Sequence, residues 1–436
     1  MNMKKIILLS SVVALLSACG SSGNGELIGV QKRNIWNPTD PYGMVFIPQG
    51  SYTMGPSDQD VPFANVSQSK TVSVGAFYMD ETEITNNEYR QFTNWVRDSL
   101  AHVILGEAGI EGHLIEEDDY GNFLDPPRID WSTRIRWNDS EVREVLEEEI
   151  YLPEHERLEG LREFDTRKYI YKYQILDVQK AAVKANREKG STGERDRSEF
   201  LSDIEVKIYP DTLTWTHDYS YSFNDPYTKN YFFHEAFDDY PVVGVNWKQA
   251  TAFSHWRTKV MNSFLRKTKQ PVLPEFRLPT ESEWEYAARG GLDASPYPWG
   301  GPYTRNIKGC FLANFKPLRG NYTADGGQKC IRTASYNPNG YGLYDMAGNV
   351  AEWTSNAYDE AAFSFSHDMN MDYHYNAKEI DHAVSKRKGI RGGSWKDIAH
   401  YIQTGTRSFE YQDTAKCYIG FRCAVDFLGR DKADFE

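Results

Sequence analysis

The five cysteines are the residues of this chain best suited to covalent chemistry, and the first stands in a processing signal. Lys4 and Lys5 precede an apolar run over residues 6–16 that is too short to span a bilayer. After it comes Leu16-Ser17-Ala18-Cys19, the form in which bacterial export pathways acylate a cysteine and make it the mature N-terminus. We predict a signal peptide over residues 1–18, a lipidated Cys19 and a polar tether over 19–43. An ordinary cleaved signal peptide is the alternative.

The residue after the acylated cysteine bears on the destination of the protein. In enterobacterial sorting an Asp at this place retains a lipoprotein at the inner membrane, and here the residue is Gly20. The sequence therefore predicts attachment to the outer membrane, at its periplasmic face, through the lipid alone.

The other four cysteines are Cys310, Cys330, Cys417 and Cys423, and in an exported protein disulfides are the default expectation. Four thiols allow three pairings, of which Cys310 with Cys330 and Cys417 with Cys423 is the most local. A zinc site is disfavoured because neither pair has the short spacing of zinc motifs. A loop with His367, Asp368, Asp372, His374 and His382 also matches no metal motif, and we interpret it as polar surface.

Composition limits the partners of the chain. The net charge is −13, and removal of Lys4 and Lys5 with the signal makes it more negative, which excludes nucleic acid as a partner. Aromatic residues make up 14% of the chain and supply material for a core and for interfaces.

Three helix starts are encoded by capping residues. Thr85 with Glu88 and Thr280 with Glu283 form capping-box patterns, and Gly290 ends the second of these helices. Asn246 caps a third, which follows a strand over residues 241–245. Short alternating segments near residues 44–54 and 71–79 predict strands.

The amino-acid composition changes between residues 97 and 238, and we interpret this segment as a large α/β insertion. It carries acidic clusters, for which solvated surface is the expected role. Residues 167–176 and 205–209 predict strands, and 177–189 predicts a helix. The stretch 215–231 is dense in Trp, Tyr and Phe, which indicates either packing against the main domain or an interface.

A series of motifs in a fixed order resembles the formylglycine-generating-enzyme, or sulfatase-modifying factor, domain. The motifs are Glu83 to Asn86, Pro241 to Trp247, Arg277 to Glu285, Gly340 to Val350, Arg391 to Ser394 and Gly420 to Arg422. The resemblance covers residues 44–96 and 239–428, with 429–436 as a tail. It implies an irregular α+β fold related to the C-type lectin fold.

Active members of this family hold copper with two cysteines placed shortly after the Arg-Gly-Gly-Ser motif. At the corresponding positions this chain has Asp397 and Ile402, and the stretch from Trp395 to Gln403 contains no cysteine. Copper(I) prefers thiolates, so the resemblance implies a pseudoenzyme without catalytic residues and without copper.

The family's calcium sites are better preserved, because calcium binds hard oxygen ligands. One set of ligands maps to Asn314, Phe315, Asp325 and Gly327, and the other to Asp345, Gly348, Val350 and Glu352. These residues also have the ordinary role of turn formers. The resemblance thus implies structural calcium.

The signal, together with the long insertion, resembles the GldK/PorK gliding-motility and type IX secretion lipoproteins of Bacteroidetes, with the related GldJ lipoproteins as the confusable group. That family forms a ring with a GldN/PorN-like periplasmic partner. The resemblance implies a non-catalytic scaffold that contacts its own copies. The alternatives are an oxidase with displaced cysteines, or a module that binds glycans or peptides near Trp353, Trp395 and Arg407.

Overall fold

The structure is a computed structural model that describes residues 38–56, 69–118, 120–184, 197–222, 224–318, 321, 323 and 325–429. Residues Thr39–Leu428 form one compact unit. The signal peptide, Cys19 and most of the tether lie outside the described residues, so their predictions stay predictions.

The secondary structure is mixed, with short strands and two long helices. In the described residues the strands are β1 (Met44–Ile47), β2 (Gly50–Met54), β3 (Lys70–Val74), β4 (Phe77–Asp80), β5 (Leu114–Glu117), β6 (Phe123–Ile129), β7 (Ile170–Leu176), β8 (Leu201–Lys207), β9 (Phe276–Arg277), β10 (Ala351–Ala357), β11 (Arg387–Arg391), β12 (Ser408–Tyr411), β13 (Ile419–Gly420) and β14 (Ala424–Asp426). The helices are α1 (Asn86–Glu107), α2 (Ser140–Glu149), α3 (Val178–Ala182), α4 (Thr214–Asp218), α5 (Pro226–Lys229), α6 (Trp247–Lys267), α7 (Glu281–Arg289) and α8 (Ala362–Phe365).

Two four-stranded sheets organise these elements. The first has the order β1-β4-β14-β9 and is antiparallel throughout. The second has the order β12-β11-β10-β13, with β10 and β13 parallel. Strand β14, the last strand in the described part of the chain, lies between β4 and β9. The first sheet therefore joins segments that are far apart in the sequence.

The three predicted helix starts are confirmed. Thr85 caps α1, Asn246 caps α6 and Thr280 caps α7, and in each case the third helical residue completes a reciprocal capping box. At the end of α7, Gly290 has φ 58°, the left-handed conformation that favours glycine at this position.

The main core lies between α1, α6 and the sheets. Tyr89 and Phe92 of α1 pack against Phe253 and Trp256 of α6, and the rings of Tyr89 and Phe253 are stacked with centroids 5.6 Å apart. Segment 97–238 contributes to the same core, since Tyr171 of β7 and Val206 of β8 belong to it. The side of the β7–β8 pair that carries Tyr171 and Val206 faces this core, and the other side is exposed.

Segment 97–238 differs in detail from its sequence-based prediction. Helix α1 continues to Glu107, well past residue 96. Strands β7 and β8 pair in antiparallel register, and β8 begins at Leu201 and ends at Lys207, earlier than the predicted 205–209. Asp177 caps α3, whose helical pattern was predicted to continue to residue 189, and residues 185–196 are outside the described part.

Across the described ranges no helix combines the length and apolar character needed to cross a membrane. The exposed positions of α1 are Asn87, Gln91, Asn94 and Glu107, and those of α6 include Lys259, Arg266 and Lys267.

Candidate functional site: the turn after the Arg-Gly-Gly-Ser motif

Two glycines after β11 create a tight turn. Gly392 has φ 87° and Gly393 has φ 63°, in the left-handed region. A Cβ on Gly393 would lie 2.6 Å from the carbonyl oxygen of Tyr401, so this position also requires glycine for space. The turn therefore places Gly393 directly against Tyr401 and Ile402.

Asp397, at the first of the two positions that correspond to the copper cysteines, closes the turn through hydrogen bonds to Ser394. Asp397 Oδ2 accepts hydrogen bonds from the backbone N–H of Ser394 at 2.9 Å and from its hydroxyl at 2.6 Å. Ser394 is fully buried. The Asp397 carboxylate thus has a local structural role, and as a hard oxygen ligand it does not fit copper(I).

The second position is part of the hydrophobic core. Ile402 is 0% exposed and packs in a cluster whose other buried members are Tyr297, Phe311, Ala313, Phe315 and Ala347. It offers neither a nucleophile nor a metal ligand. The two residues at the positions that the resemblance assigns to the copper cysteines therefore do not fit copper(I).

The space beside the turn is covered by aromatic side chains from segment 97–238. Trp215 of α4 is stacked on Trp395, with centroids 5.9 Å apart and planes 16° apart, and Tyr219 stacks on the same indole. Lys329 Nζ lies 4.3 Å from the Tyr219 ring centroid and forms an ion pair of 2.6 Å with Asp225. Trp215 and Trp395 are both buried as a result.

Two cysteines belong to this aromatic cluster. Cys330 Sγ donates to the Tyr231 hydroxyl at 3.2 Å, and Cys417 Sγ donates to Asp218 Oδ2 at 2.9 Å. Burial raises the pKa of the Cys330 thiol to about 12, and burial together with Asp218 raises that of Cys417. Both groups are therefore thiols and not thiolates at neutral pH.

The predicted local disulfides are not formed. Cys310, Cys330, Cys417 and Cys423 are all free thiols in the structure. Cys423 lies 3.4 Å from Ser254 Oγ in the main core, whereas Cys417 faces Asp218. Short separation along the chain was a poor guide because the two side chains point into different clusters.

The residues proposed for a glycan or peptide pocket are also buried. Trp353 is 0% exposed and donates to the carbonyl oxygen of Val245 at 3.1 Å. Arg407 binds Glu281 through two hydrogen bonds of 2.6 and 3.1 Å. With Trp395 covered by Trp215, these residues form no open ligand pocket.

The residues of the first calcium set lie near those of the second. Asn349, next to Gly348, donates its backbone N–H to the carbonyl of Asn314 at 2.8 Å, and the two amide side chains are 3.3 Å apart. Phe315 is buried, and Asp325 is exposed and accepts from the backbone N–H of Phe311 at 3.2 Å. Gly327 lies against Lys329 and Ile331, where a side chain would clash.

The second set is in a buried, negatively charged environment. Glu352 is fully buried, accepts two hydrogen bonds from Arg422 at 2.6 and 2.7 Å and a third from Trp284 at 2.8 Å. Glu83 is close to Asp345 and Glu352, so three carboxylates surround one guanidinium. Burial raises the pKa of Asp345 to about 6, and burial with Asp345 and Glu352 raises that of Glu83.

This excess of negative charge fits a divalent cation. Glu352 Oε2 accepts from Arg422 and Trp284, whereas Oε1 has Arg422 as its one hydrogen-bond donor among the described residues. Among the described residues no three His, Cys, Asp or Glu side chains converge on one metal position. Calcium here would therefore need the carbonyl oxygens of Gly348 and Val350 in addition to Asp345 and Glu352.

Two features of the site escaped the sequence analysis. Glu83 was identified only as part of a motif, yet its carboxylate accepts from the backbone N–H of Val350 at 3.0 Å and from the Asn349 amide at 2.6 Å. Trp215 was noted only for its aromatic surroundings. The density of aromatic residues over 215–231 was the available signal for Trp215. No comparable signal in the sequence marked Glu83.

A family model described as the sulfatase-modifying factor enzyme 1-like domain matches residues 36–427. The chain belongs to this family. Among its relatives, the inactive Cα-formylglycine-generating enzyme 2 of Bos taurus is 34% identical over 192 residues, which are 43% of this chain and 50% of the relative. The chain therefore spans about half the length of this relative and of its Mus musculus counterpart.

Relatives named formylglycine-generating enzyme also match this sulfatase-modifying factor chain. The formylglycine-generating enzyme of Bos taurus is 26% identical over 402 residues, covering 90% of this chain and 76% of the relative. The enzyme of Streptomyces coelicolor is 33% identical over 192 residues, which are 43% of this chain and 53% of the relative. A solved structure, PvdO from Pseudomonas aeruginosa, is 17% identical with a TM-score of 0.46, covering 88% of this chain and 94% of the other.

Proposed function

We propose that this sulfatase-modifying factor protein is a non-catalytic scaffold subunit of a protein-secretion machine, held by lipid at the periplasmic face of the outer membrane. The proposal rests on the two residues that stand at the positions corresponding to the copper-binding cysteines. Asp397 is hydrogen bonded into the Ser394 turn, and Ile402 is fully buried in the core. The matching relatives include both inactive and active members, so membership alone does not decide the activity.

The displaced cysteines give little support to an oxidase. Cys330 and Cys417 share one cluster, but it is apolar and aromatic, and the pKa values of both thiols are raised by burial. The thiolate is the species that binds a soft metal and reacts with substrate. Cys330 and Cys417 are both buried in this cluster, at 0% and 1% exposure.

The anchoring and assembly parts of the proposal rest on the sequence. The lipoprotein pattern at Cys19 and the resemblance to GldK/PorK proteins support the outer membrane and a type IX secretion or gliding role. A ring of identical subunits requires a heterologous interface whose rotation closes, and a GldN/PorN-like protein is the proposed periplasmic partner. We assign the contacts with neighbours to segment 97–238, which has exposed apolar side chains at Phe123 and Leu176.

The decisive experiment is gentle extraction of the native lipoprotein, followed by mass spectrometry and electron microscopy of the complex. A large ring that contains a second periplasmic protein is expected. A monomer without a partner would contradict the scaffold proposal and lead back to the oxidase and the glycan-binding alternatives.

A variant of the anchor gives a second test. Cys19→Ala should release the protein from the membrane and abolish secretion, while circular dichroism and the melting temperature of the domain stay unchanged. Cys310→Ala, which changes a half-buried cysteine within the domain, is the matched control and should leave attachment intact. Secretion that survives Cys19→Ala would be inconsistent with an anchored role.

An activity assay separates scaffold from enzyme. The purified protein, supplied with copper and a sulfatase-derived cysteine peptide, should give no formylglycine product by mass spectrometry. The Streptomyces coelicolor relative, assayed in parallel, is the positive control. Product formation by the present chain would restore the oxidase hypothesis.

A further inference from the structure

Segment 97–238 forms an open cleft away from the Arg-Gly-Gly-Ser turn. The cleft has a volume of about 750 Å³ and lies between α1, which supplies Asp98 and His102, and the loop 131–138. This volume is in the range of sites for small molecules. The cleft lies in the segment to which we assign the contacts between subunits, but its lining does not include the exposed apolar side chains of Phe123 and Leu176 named for those contacts.

An exposed indole forms one wall of the cleft. Trp131 stacks on Trp95 with centroids 5.0 Å apart and planes 20° apart, and it remains 47% exposed. Trp137 is also in the wall and is held by Arg97, whose guanidinium lies 5.2 Å from its ring centroid. The rings are therefore fixed by packing, while Trp131 presents apolar surface to solvent.

Two arginines give the cleft a positive charge. Arg134 and Arg136 are exposed and alternate with buried Ile135, so both side chains lie on the solvent side of the loop. Neither has an ion-pair or hydrogen-bond partner for its guanidinium among the described residues. Asp98, the acidic residue of the lining, is already paired with Arg97 at 2.7 Å. The two guanidinium groups are thus the unpaired charges of the lining, with the carboxylate of Asp130 nearby, in a protein of net charge −13.

Neutral hydrogen-bonding groups complete the lining. His102 Nδ1 and His113 Nδ1 are 2.9 Å apart, which requires one proton between them and leaves Nε2 of His102 without a partner in the described chain. Burial and the neighbouring His113 lower the pKa of His102, so its ring is neutral at pH 7. Ser132, Thr133 and Asn138 add hydroxyl and amide groups.

We propose that this cleft binds an acidic saccharide, with a sugar ring against Trp131 and its carboxylate or phosphate between Arg134 and Arg136. Guanidinium groups bind such anions through paired hydrogen bonds. Ring hydroxyls find partners in Asn138, Thr133 and His102. An acidic peptide would use the arginines alone, whereas the combination of an exposed indole with several neutral polar groups matches a saccharide.

The test is titration calorimetry with saturation-transfer NMR on the domain released by Cys19→Ala. Trigalacturonate and a deacylated lipopolysaccharide core oligosaccharide are the probes, and maltotriose is the neutral comparison. Binding of either acidic probe with at least tenfold weaker binding of maltotriose is expected. Preference for the core oligosaccharide would identify the membrane surface as the source, and preference for trigalacturonate a free polysaccharide.

Variants connect the binding to the cleft. Arg134→Gln with Arg136→Gln should weaken binding of the acidic probe at least tenfold, and Trp131→Ala should weaken binding and remove the saturation-transfer signal of the ring protons. Arg128→Gln changes an exposed arginine of β6 outside the lining and should have no effect. Unchanged melting temperatures confirm that the variants are folded.

Three results would overturn the proposal. They are the absence of binding by both acidic probes, equal binding of maltotriose, and tighter binding of a glutamate-rich peptide than of either saccharide. The last result would assign the cleft to an acidic protein segment. None of these outcomes depends on ring assembly, so the cleft and the scaffold role are tested separately.

Discussion

The indole of Trp215 lies parallel to the indole of Trp395 at a centroid distance of 5.9 Å. Trp395 directly follows the Arg-Gly-Gly-Ser motif, and Trp215 comes from a segment almost two hundred residues earlier in the chain. The contact joins segment 97–238 to the turn that would carry the family's chemistry. It makes the indole that follows the Arg-Gly-Gly-Ser motif part of the packed interior.

Removal of Trp215 should therefore destabilise the domain strongly. Trp215→Ala is expected to lower the free energy of unfolding by about 3–5 kcal/mol, because it creates a cavity and exposes Trp395. Urea unfolding followed by circular dichroism measures this. Tyr221→Ala is the control, since Tyr221 lies in the same stretch but is 82% exposed. Equal effects of the two changes would show that the stack contributes little.

Calcium should stabilise the protein through the second ligand set. A ligand that binds only the folded state adds about 2.7 kcal/mol at a concentration one hundred times its Kd. We expect chelation by EGTA to lower the melting temperature, which differential scanning calorimetry detects. Magnesium at equal ionic strength is the control for screening. A melting temperature unaffected by chelation would remove calcium from both predicted sets.

Asp345→Asn should change this response in a specific direction. The variant removes one of three buried carboxylates around Arg422, so the metal-free protein should become more stable and its calcium response smaller. Asn also tolerates the φ of 57° at this position. Asp325→Asn changes the first ligand set and shows whether the two sets act independently.

The four domain cysteines should differ sharply in reactivity. Cys330 and Cys423 are 0% exposed and burial raises the pKa of each to about 12, whereas Cys310 is half-buried. In the folded Cys19→Ala protein we expect one thiol to react rapidly with an aromatic disulfide reagent. When the same protein is unfolded in denaturant without reductant, all four thiols should react. Cys310→Ser should abolish the rapid phase. Fewer than four thiols in denaturant would reveal a disulfide.

Lys388 should make stability depend on pH. It is 0% exposed, donates to the carbonyl of Tyr375 at 2.8 Å, and burial lowers its pKa from 10.5 to about 7 despite the opposing effect of Asp372. Between these values the unfolded chain holds a proton that the folded chain has released. This group therefore contributes stability that increases as the pH rises from about 7 towards 10.5.

Comparison with Lys388→Met isolates that contribution. The free energy of unfolding of the parent should increase relative to Lys388→Met between pH 7 and pH 9, as measured by urea titration. Lys378→Met, which changes an exposed lysine, controls for general alkaline effects. A constant difference between parent and Lys388→Met across this range would falsify the assignment.

The sequence by itself determined the family and the helix starts, and it predicts the loss of the copper ligands. Capping boxes at Thr85 and Thr280 depend on residues three apart, so local sequence is sufficient to predict them. The identities of Asp397 and Ile402 are likewise visible without any structure. The lipid anchor at Cys19, the ring and its partner are predictions from the sequence that await the experiments above.

Only the tertiary structure decided which distant groups meet. Burial of Trp395 under Trp215, the gathering of Glu83, Asp345 and Glu352 around Arg422, and the cleft between α1 and the loop 131–138 all depend on contacts between remote segments. The cysteines illustrate the same limit, since Cys417 and Cys423 are close in sequence but point into different clusters. Periodicity and caps report on neighbours along the chain, whereas packing of the whole fold determines these long-range neighbours.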